Sequence, residues 1–228
     1  MNEELIRVIT IDGPSGSGKG TLSFLLSQSL SWNVLDSGAI YRALAYSCHS
    51  NHVDLLDEDK VVKLAKDLKV YFQADKNGEI RCIYQGEDIS NVIRTEESGK
   101  FASKIASMPR VRDALILRQQ DFRKPPGLIA DGRDMGTVVF PDAILKIFLS
   151  ADENVRVSRR HLQLMGKGEN VSLARLQGDI ESRDKRDTSR KVSPLVPAED
   201  ALIIDSTDLS ATEVFERVLN ELRAIEVL

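Results

Sequence analysis

The chain has 228 residues, 42% hydrophobic and 29% charged, so neither intrinsic disorder nor a membrane protein fits it. That length favours one domain, 1–228, large enough to bury a sizeable core. A net charge of −4 argues against a nucleic-acid polymer as partner, yet 13 of the 18 arginines fall between Arg94 and Arg190, where they suit a small anionic ligand.

Met1-Asn2-Glu3-Glu4 lacks the basic start and long apolar stretch of a signal peptide. No apolar run approaches the roughly 20 residues needed to span a bilayer, so the expectation is a cytoplasmic chain with no membrane partner. Leu5 to Ile11 is a short run rich in branched residues and predicts a strand, followed by a glycine-rich turn and a helical pattern. Val34-Leu35 before Asp36 predicts a second strand. Cys48 and Cys82 are too few for a disulfide framework and too isolated for a zinc site; they read as free thiols. Leu68 to Phe72, the turn Asp75-Lys76-Asn77-Gly78, and Ile80 to Tyr84 predict a β-hairpin, because Asn-Gly adopts positive φ readily.

Helical stretches follow over Met108 to Phe122, Ala151 to Met165 and Leu173 to Arg190. Between and after them come strand runs at Leu128-Ile129-Ala130 before Asp131, Ile144 to Leu149, and Leu202-Ile203-Ile204 before Asp205. Ser210 with Glu213 fits a capping box opening a C-terminal amphipathic helix. Strands alternating with helices predict an α/β fold: a five-stranded parallel sheet with helices on both faces and a small antiparallel insertion. Met165 to Asn170 contains two glycines and reads as a loop between two arginine-bearing helices.

The strongest chemical signal is Gly13-Pro14-Ser15-Gly16-Ser17-Gly18-Lys19-Gly20-Thr21. Glycines at this spacing let successive amides point at a phosphate, and the helix that follows adds positive potential at its N-terminus. Lys19 can then reach the β- and γ-phosphates as a movable point charge. The usual hydroxyl residue after the lysine is replaced by Gly20, with Thr21 one place later. Magnesium ligation by a P-loop hydroxyl therefore does not follow from the motif itself.

Gly-Lys-Gly-Thr is the form this loop takes in nucleoside monophosphate kinases, and from Val8 to about Ile225 the chain resembles the bacterial cytidylate kinases. The resemblance is carried by Ile11 to Gly16, Leu35 to Arg42, Ile129 to Gly136, and Arg183 to Asp187. It implies a monophosphate-binding insertion at about 64–104, a short lid at about 153–172, and a monomer transferring the γ-phosphoryl group of ATP to CMP or dCMP. Mg2+ is then held through phosphates and water, with Thr21 and Asp131 as candidate protein contacts.

The resemblance also implies roles for individual residues. Ser37 and Arg42 would bind the acceptor, although Ser37 by position also fits a plain helix N-cap. Tyr41 reads as a packing residue near the acceptor. Arg110 and Arg112 are two apart and point in different directions; the resemblance selects Arg112, with Ser103, as neighbours of cytosine. Arg133 would meet the transferring phosphoryl group or the acceptor phosphate, and Asp134 the base. Arg156 and Arg160 share a helical face, where they repel unless an anion or carboxylate lies between them; Arg159 or Arg160 would meet the ATP phosphates. Arg183, Asp187 and Arg190 stand at i, i+4 and i+7, which fits an exposed salt-bridge ladder as well as a site. The resemblance gives Arg183 and Asp187 to the acceptor's sugar and Arg190 to the phosphate region.

Overall fold

A computed structural model describes residues 6–76, 78–166, 168, 171–190 and 192–227. The chain begins with β1 (Val8–Asp12), α1 (Lys19–Leu30), β2 (Asn33–Asp36), α2 (Ser37–Ser50) and α3 (Glu58–Lys66). Next come β3 (Val70–Ala74), β4 (Ile80–Tyr84), β5 (Glu87–Asp88), α4 (Ser90–Ile93), α5 (Glu96–Ile105) and α6 (Pro109–Gln120). After β6 (Leu128–Gly132) a π-helical turn spans Met135–Val139, followed by β7 (Leu145–Ser150), α7 (Glu153–Met165), α8 (Leu173–Ser189), β8 (Leu202–Asp205) and α9 (Ala211–Ala224).

Every residue of β1 and of β6 is buried, as expected of apolar strands covered on both faces. The five parallel strands run in the order β2-β6-β1-β7-β8. Apolar residues of α1 and α9 cover one face, with Leu26, Val218 and Leu222 packed against Ile9 and Ile129. The other face is covered by α2 and α6, through Ile40, Leu44 and Leu115. β2 and β6 lie to one side of β1 and β7 and β8 to the other, so the connections leaving β1 and β6 part in opposite directions. A crevice at the carboxyl ends of the strands is where such sheets bind ligands.

The register decides what stands there: Asp36 is level with Asp131, and Asp12 with Gly132. The capping box is present, with Glu213 N–H donating to Ser210 Oγ at 3.2 Å and Ser210 N–H to Glu213 Oε2 at 2.8 Å. Among the described residues, no helix is long and apolar enough to cross a membrane.

Several boundaries differ from expectation for local reasons. The hairpin begins at Val70 rather than Leu68, because the Leu68 carbonyl accepts from Arg118 Nη2 at 2.8 Å instead of joining the ladder. Its turn is a five-residue loop closed by Asp75 N–H on the Glu79 carbonyl at 2.8 Å, and β5 adds a third strand. Helix α8 ends at Ser189, leaving Arg190 as its cap in an extended conformation. The N-cap of α2 is Asp36, which accepts from Ala39 N–H at 2.9 Å, and Ser37 is the first helical residue. Leu5 of the expected first strand, Asn77 of the expected turn, and 167, 169 and 170 of the expected loop lie outside the described residues.

Candidate active site

Close packing dictates the glycines of the phosphate loop. A Cβ on Gly13 would stand 2.0 Å from the Leu149 carbonyl oxygen, and one on Gly16 2.9 Å from that of Arg156. The loop is thereby pressed between β7 and α7. Ser17 Oγ donates to the Pro14 carbonyl at 3.0 Å, and Lys19 Nζ donates to the same oxygen at 2.8 Å. Burial pushes the Lys19 ammonium below its ordinary pKa, helped by the nearby Arg133 cation and opposed by Asp131, Asp12 and Asp36. A phosphate beside it would reverse that shift.

Three strand-end carboxylates surround Lys19. Burial raises the pKa of Asp131, and Asp36 adds to the rise, while Lys19 and Arg133 oppose it. A Cβ on Gly20 would lie 3.9 Å from Asp131 Oδ2, so the carboxylate approaches the place where other P-loops carry their hydroxyl. Thr21 is exposed and lines the same cavity as Asp131. Asp12 accepts the Met135 and Gly136 N–H groups, each at 2.8 Å, and so clamps the backbone just after Asp134. Burial pushes its carboxyl up to about 6 even though both hydrogen bonds pull down.

A second group of arginines stands beyond the loop. Arg42 Nη1 donates to the carbonyls of Ile93 at 2.9 Å and Thr95 at 3.2 Å, tying α2 to the α4–α5 turn. Arg133 Nε donates to Asp187 Oδ2 at 3.0 Å, and Arg183 Nη1 donates to Ser15 Oγ at 3.3 Å. Arg183 and Asp187 are each only 7% exposed, which excludes a solvated surface ladder for that helix face. Arg190 Nε donates to the Asp187 carbonyl at 3.3 Å.

Arg112 donates to Asp134 through Nη2, and the two side chains are 3% and 5% exposed. Tyr41 lies against them, its ring centre 5.8 Å from the Arg112 guanidinium carbon. Around this pair Arg112 Nε, Arg190 Nη2 and the Tyr41 hydroxyl are buried without a hydrogen-bond partner. A buried unsatisfied polar atom costs about 1–3 kcal/mol, so a ligand presenting partners here recovers real free energy. Tyr41 belongs to the buried core packed around α2. Arg110, by contrast, pairs with Asp59 at 2.7 Å on the surface.

Arg156 is buried and donates to the Ser15 carbonyl at 3.1 Å and to Asp184 Oδ2 at 2.5 Å, so its charge is paired across to α8. Arg159 donates to Ser206 Oγ at 3.0 Å and to the Ser206 carbonyl at 2.7 Å, on the loop before α9. Arg160 donates to Gln163 at 2.7 Å and to the Arg94 carbonyl at 3.1 Å.

A single cavity of about 680 Å³ is lined by the loop from Ser15 to Thr21, by Asp131, Arg133 and Arg42, by the hairpin from Gly78 to Ile80, and by Arg159 and Arg160. Ser37, Ser103, Arg112, Asp134, Arg183, Asp187 and Arg190 lie outside that lining. Ser37 is buried at the start of α2, and Ser103 is half-buried on α5; among the described residues neither makes a side-chain hydrogen bond. Sequence reasoning assigned no role to Asp12 or Asp36. Both end strands, as Asp131 all but does, and that shared position was the available signal.

The family model described as cytidylate kinase matches residues 9–224. The cytidylate kinase of Pseudomonas putida is 57% identical over 216 residues, covering 94% of this chain and 95% of that one. That of Pectobacterium atrosepticum is 56% identical over 218 residues, 96% of each chain. Among solved structures, an uncharacterized protein from Eubacterium ventriosum aligns with a TM-score of 0.52 at 12% identity, over 95% of this chain and 98% of the other, a likeness of fold alone.

Proposed function

The chain belongs to the cytidylate kinase family, and on that premise we propose that it transfers the γ-phosphoryl group of ATP to CMP or dCMP. An oxygen of the acceptor phosphate attacks the γ-phosphorus in line. The bond from that phosphorus to the β,γ-bridging oxygen breaks, and ADP leaves with the electron pair. No general base is needed, because a monophosphate's second pKa is about 6 and the attacking oxygen is already ionised at neutral pH. No histidine need act as base, and none of His49, His52 and His161 lines the cavity.

The protein's task is to position two anions and neutralise charge as it spreads over the transferring group. Loop amides and Lys19 take the donor's β- and γ-phosphates. Arg133 stands between donor and acceptor, and Arg159 and Arg160 approach from the lid at 153–172. Ser37, Arg42 and Arg190 hold the acceptor phosphate, and Arg183 with Asp187 its sugar, while the insertion at 64–104 completes the acceptor side. Arg112 and Asp134, with Ser103, read the base.

Among the described residues no group of three His, Cys, Asp or Glu side chains could hold a metal unaided. Asp131, facing a side-chain-free Gly20 beside Thr21, fits a Mg2+ that keeps most of its ligands on phosphates and water. When bound with ATP, that ion supplies neutralisation of the β- and γ-phosphates. The reaction is placed in the cytoplasm with the chain acting as a monomer; the free, buried Cys48 and Cys82 accord with a reducing compartment.

The observation that carries the choice of acceptor is the buried Arg112–Asp134 pair with three unsatisfied polar atoms around it. Cytosine offers an amino donor beside acceptors at N3 and the 2-carbonyl, which suits a carboxylate next to a guanidinium. Incubation with γ-labelled ATP and CMP should place the label in CDP. Label released only as inorganic phosphate would reject the proposal.

A further inference from the structure

Gly99 is buried inside α5, where Arg42 arrives from α2 and Arg183 from α8. A Cβ at this position would stand 2.4 Å from Arg183 Nη2, 3.2 Å from Arg183 Cζ and 3.2 Å from Arg42 Nη2. One point is therefore in reach of both guanidiniums, and only hydrogen occupies it.

We infer that Gly99 is a positioning residue: its missing side chain lets the Arg183 guanidinium come up beside that of Arg42, which lines the cavity. This rests on the acceptor roles proposed above for the two arginines. Each guanidinium is already anchored by its other arm, Arg42 Nη1 on the Ile93 and Thr95 carbonyls and Arg183 Nη1 on Ser15 Oγ. Their Nη2 arms are turned to the face of α5 that Gly99 leaves bare. A methyl group there would push Arg183 off its contact with the phosphate loop.

Backbone geometry gives no other reason for glycine, since Gly99 is absent from the positive-φ positions and sits in ordinary helix. Glycine is a poorer helix former than alanine, so the position carries a residue that weakens its own helix. The atoms in the way are ends of flexible side chains, not backbone. Alanine would therefore be accommodated by swinging a guanidinium aside, with the fold intact. Stability and acceptor binding should respond in opposite directions.

The test compares Gly99→Ala, Arg183→Ala and the double variant by steady-state kinetics with CMP and ATP, together with thermal unfolding. Gly99→Ala should unfold at the same or a higher temperature and raise KM for CMP about tenfold or more, the scale of one charge-assisted hydrogen bond. KM for ATP should move much less. In the Arg183→Ala background the same change should add little further, because the group it displaces is gone. The inference is overturned if Gly99→Ala leaves KM for CMP unchanged, if the two effects multiply, or if the unfolding temperature falls while both KM values rise. An unsubstituted chain that never phosphorylates CMP would overturn the functional reading as well. Turnover by that chain with an indifferent Gly99→Ala overturns the role of Gly99 alone.

Discussion

Replacing Asp134 by asparagine keeps the shape of its pair with Arg112 and removes one charge. Both side chains are almost wholly buried, at 3% and 5% exposure, so solvent cannot screen the loss. Removing one partner of a buried pair costs about 3–5 kcal/mol. The asparagine oxygen still accepts from Arg112, which places Asp134→Asn near the low end. At about 2–4 °C per kcal/mol for a chain of this size, the unfolding temperature should fall by roughly 6–12 °C. In the reaction, the cytosine amino group loses a charged acceptor worth about 1.5–3 kcal/mol, so kcat/KM for CMP should fall roughly 10- to 150-fold. Uracil presents a carbonyl where cytosine has that amino group, and the new amide can turn its NH2 toward it. Catalytic efficiency with UMP should hold or rise, and the CMP-to-UMP ratio should narrow from both ends. Coupled ADP release at saturating ATP, run on both acceptors, reads this directly. An Asp134→Asn variant that retains the full ratio would refute the account of the base pocket.

Lys19→Met should leave the fold intact and remove most phosphoryl transfer, since the lost charge acts on the transition state; near-normal turnover by a folded variant would end that role. Lys19 is pushed down to about 8 by burial and by Arg133, so its charge is complete below that pH and is lost as pH rises through it. kcat/KM for ATP should accordingly decline on an alkaline limb that Lys19→Arg moves upward, and a limb indifferent to that change would assign it elsewhere. Arg183→Ala and Asp187→Ala should raise KM for CMP far more than KM for ATP; lowered thermal stability with both constants unchanged would make the α8 face merely structural. Hydrogen exchange across 153–172 should slow when a non-hydrolysable ATP analogue binds, and unchanged exchange at saturation would argue against a lid.

Local chemistry made much of this legible from the sequence. The phosphate loop could be read because its requirement, amides converging on an anion at a helix start, is met within nine consecutive residues. The parallel strands could be read because burial on both faces enforces unbroken apolar runs such as Leu128-Ile129-Ala130. Contacts between distant segments carried no such mark. Arg183 meets Ser15 from 168 residues away, and Arg133 meets Asp187 from 54, so no spacing rule could distinguish a site from a surface ladder. The Arg112–Asp134 pair came forward only through resemblance, because its meaning depends on α6 packing against the π-helical turn that follows β6. Spacing gave Arg156 only a shared helical face with Arg160, whereas its burial and its hydrogen bond to the Ser15 carbonyl make it a support for the phosphate loop. Asp12 went unassigned because its partners are backbone N–H groups more than a hundred residues onward.

The central claim is that a phosphate loop and a buried Arg112–Asp134 pair together make a kinase for cytosine monophosphates. Initial rates of ADP release with CMP, dCMP, UMP and AMP, each at subsaturating concentration, test it most directly. Hydrogen-bond mismatch in a buried site of several kcal/mol predicts CMP and dCMP favoured over UMP and AMP by roughly a thousandfold. Equal rates with CMP and UMP, or a preference for AMP, would contradict it.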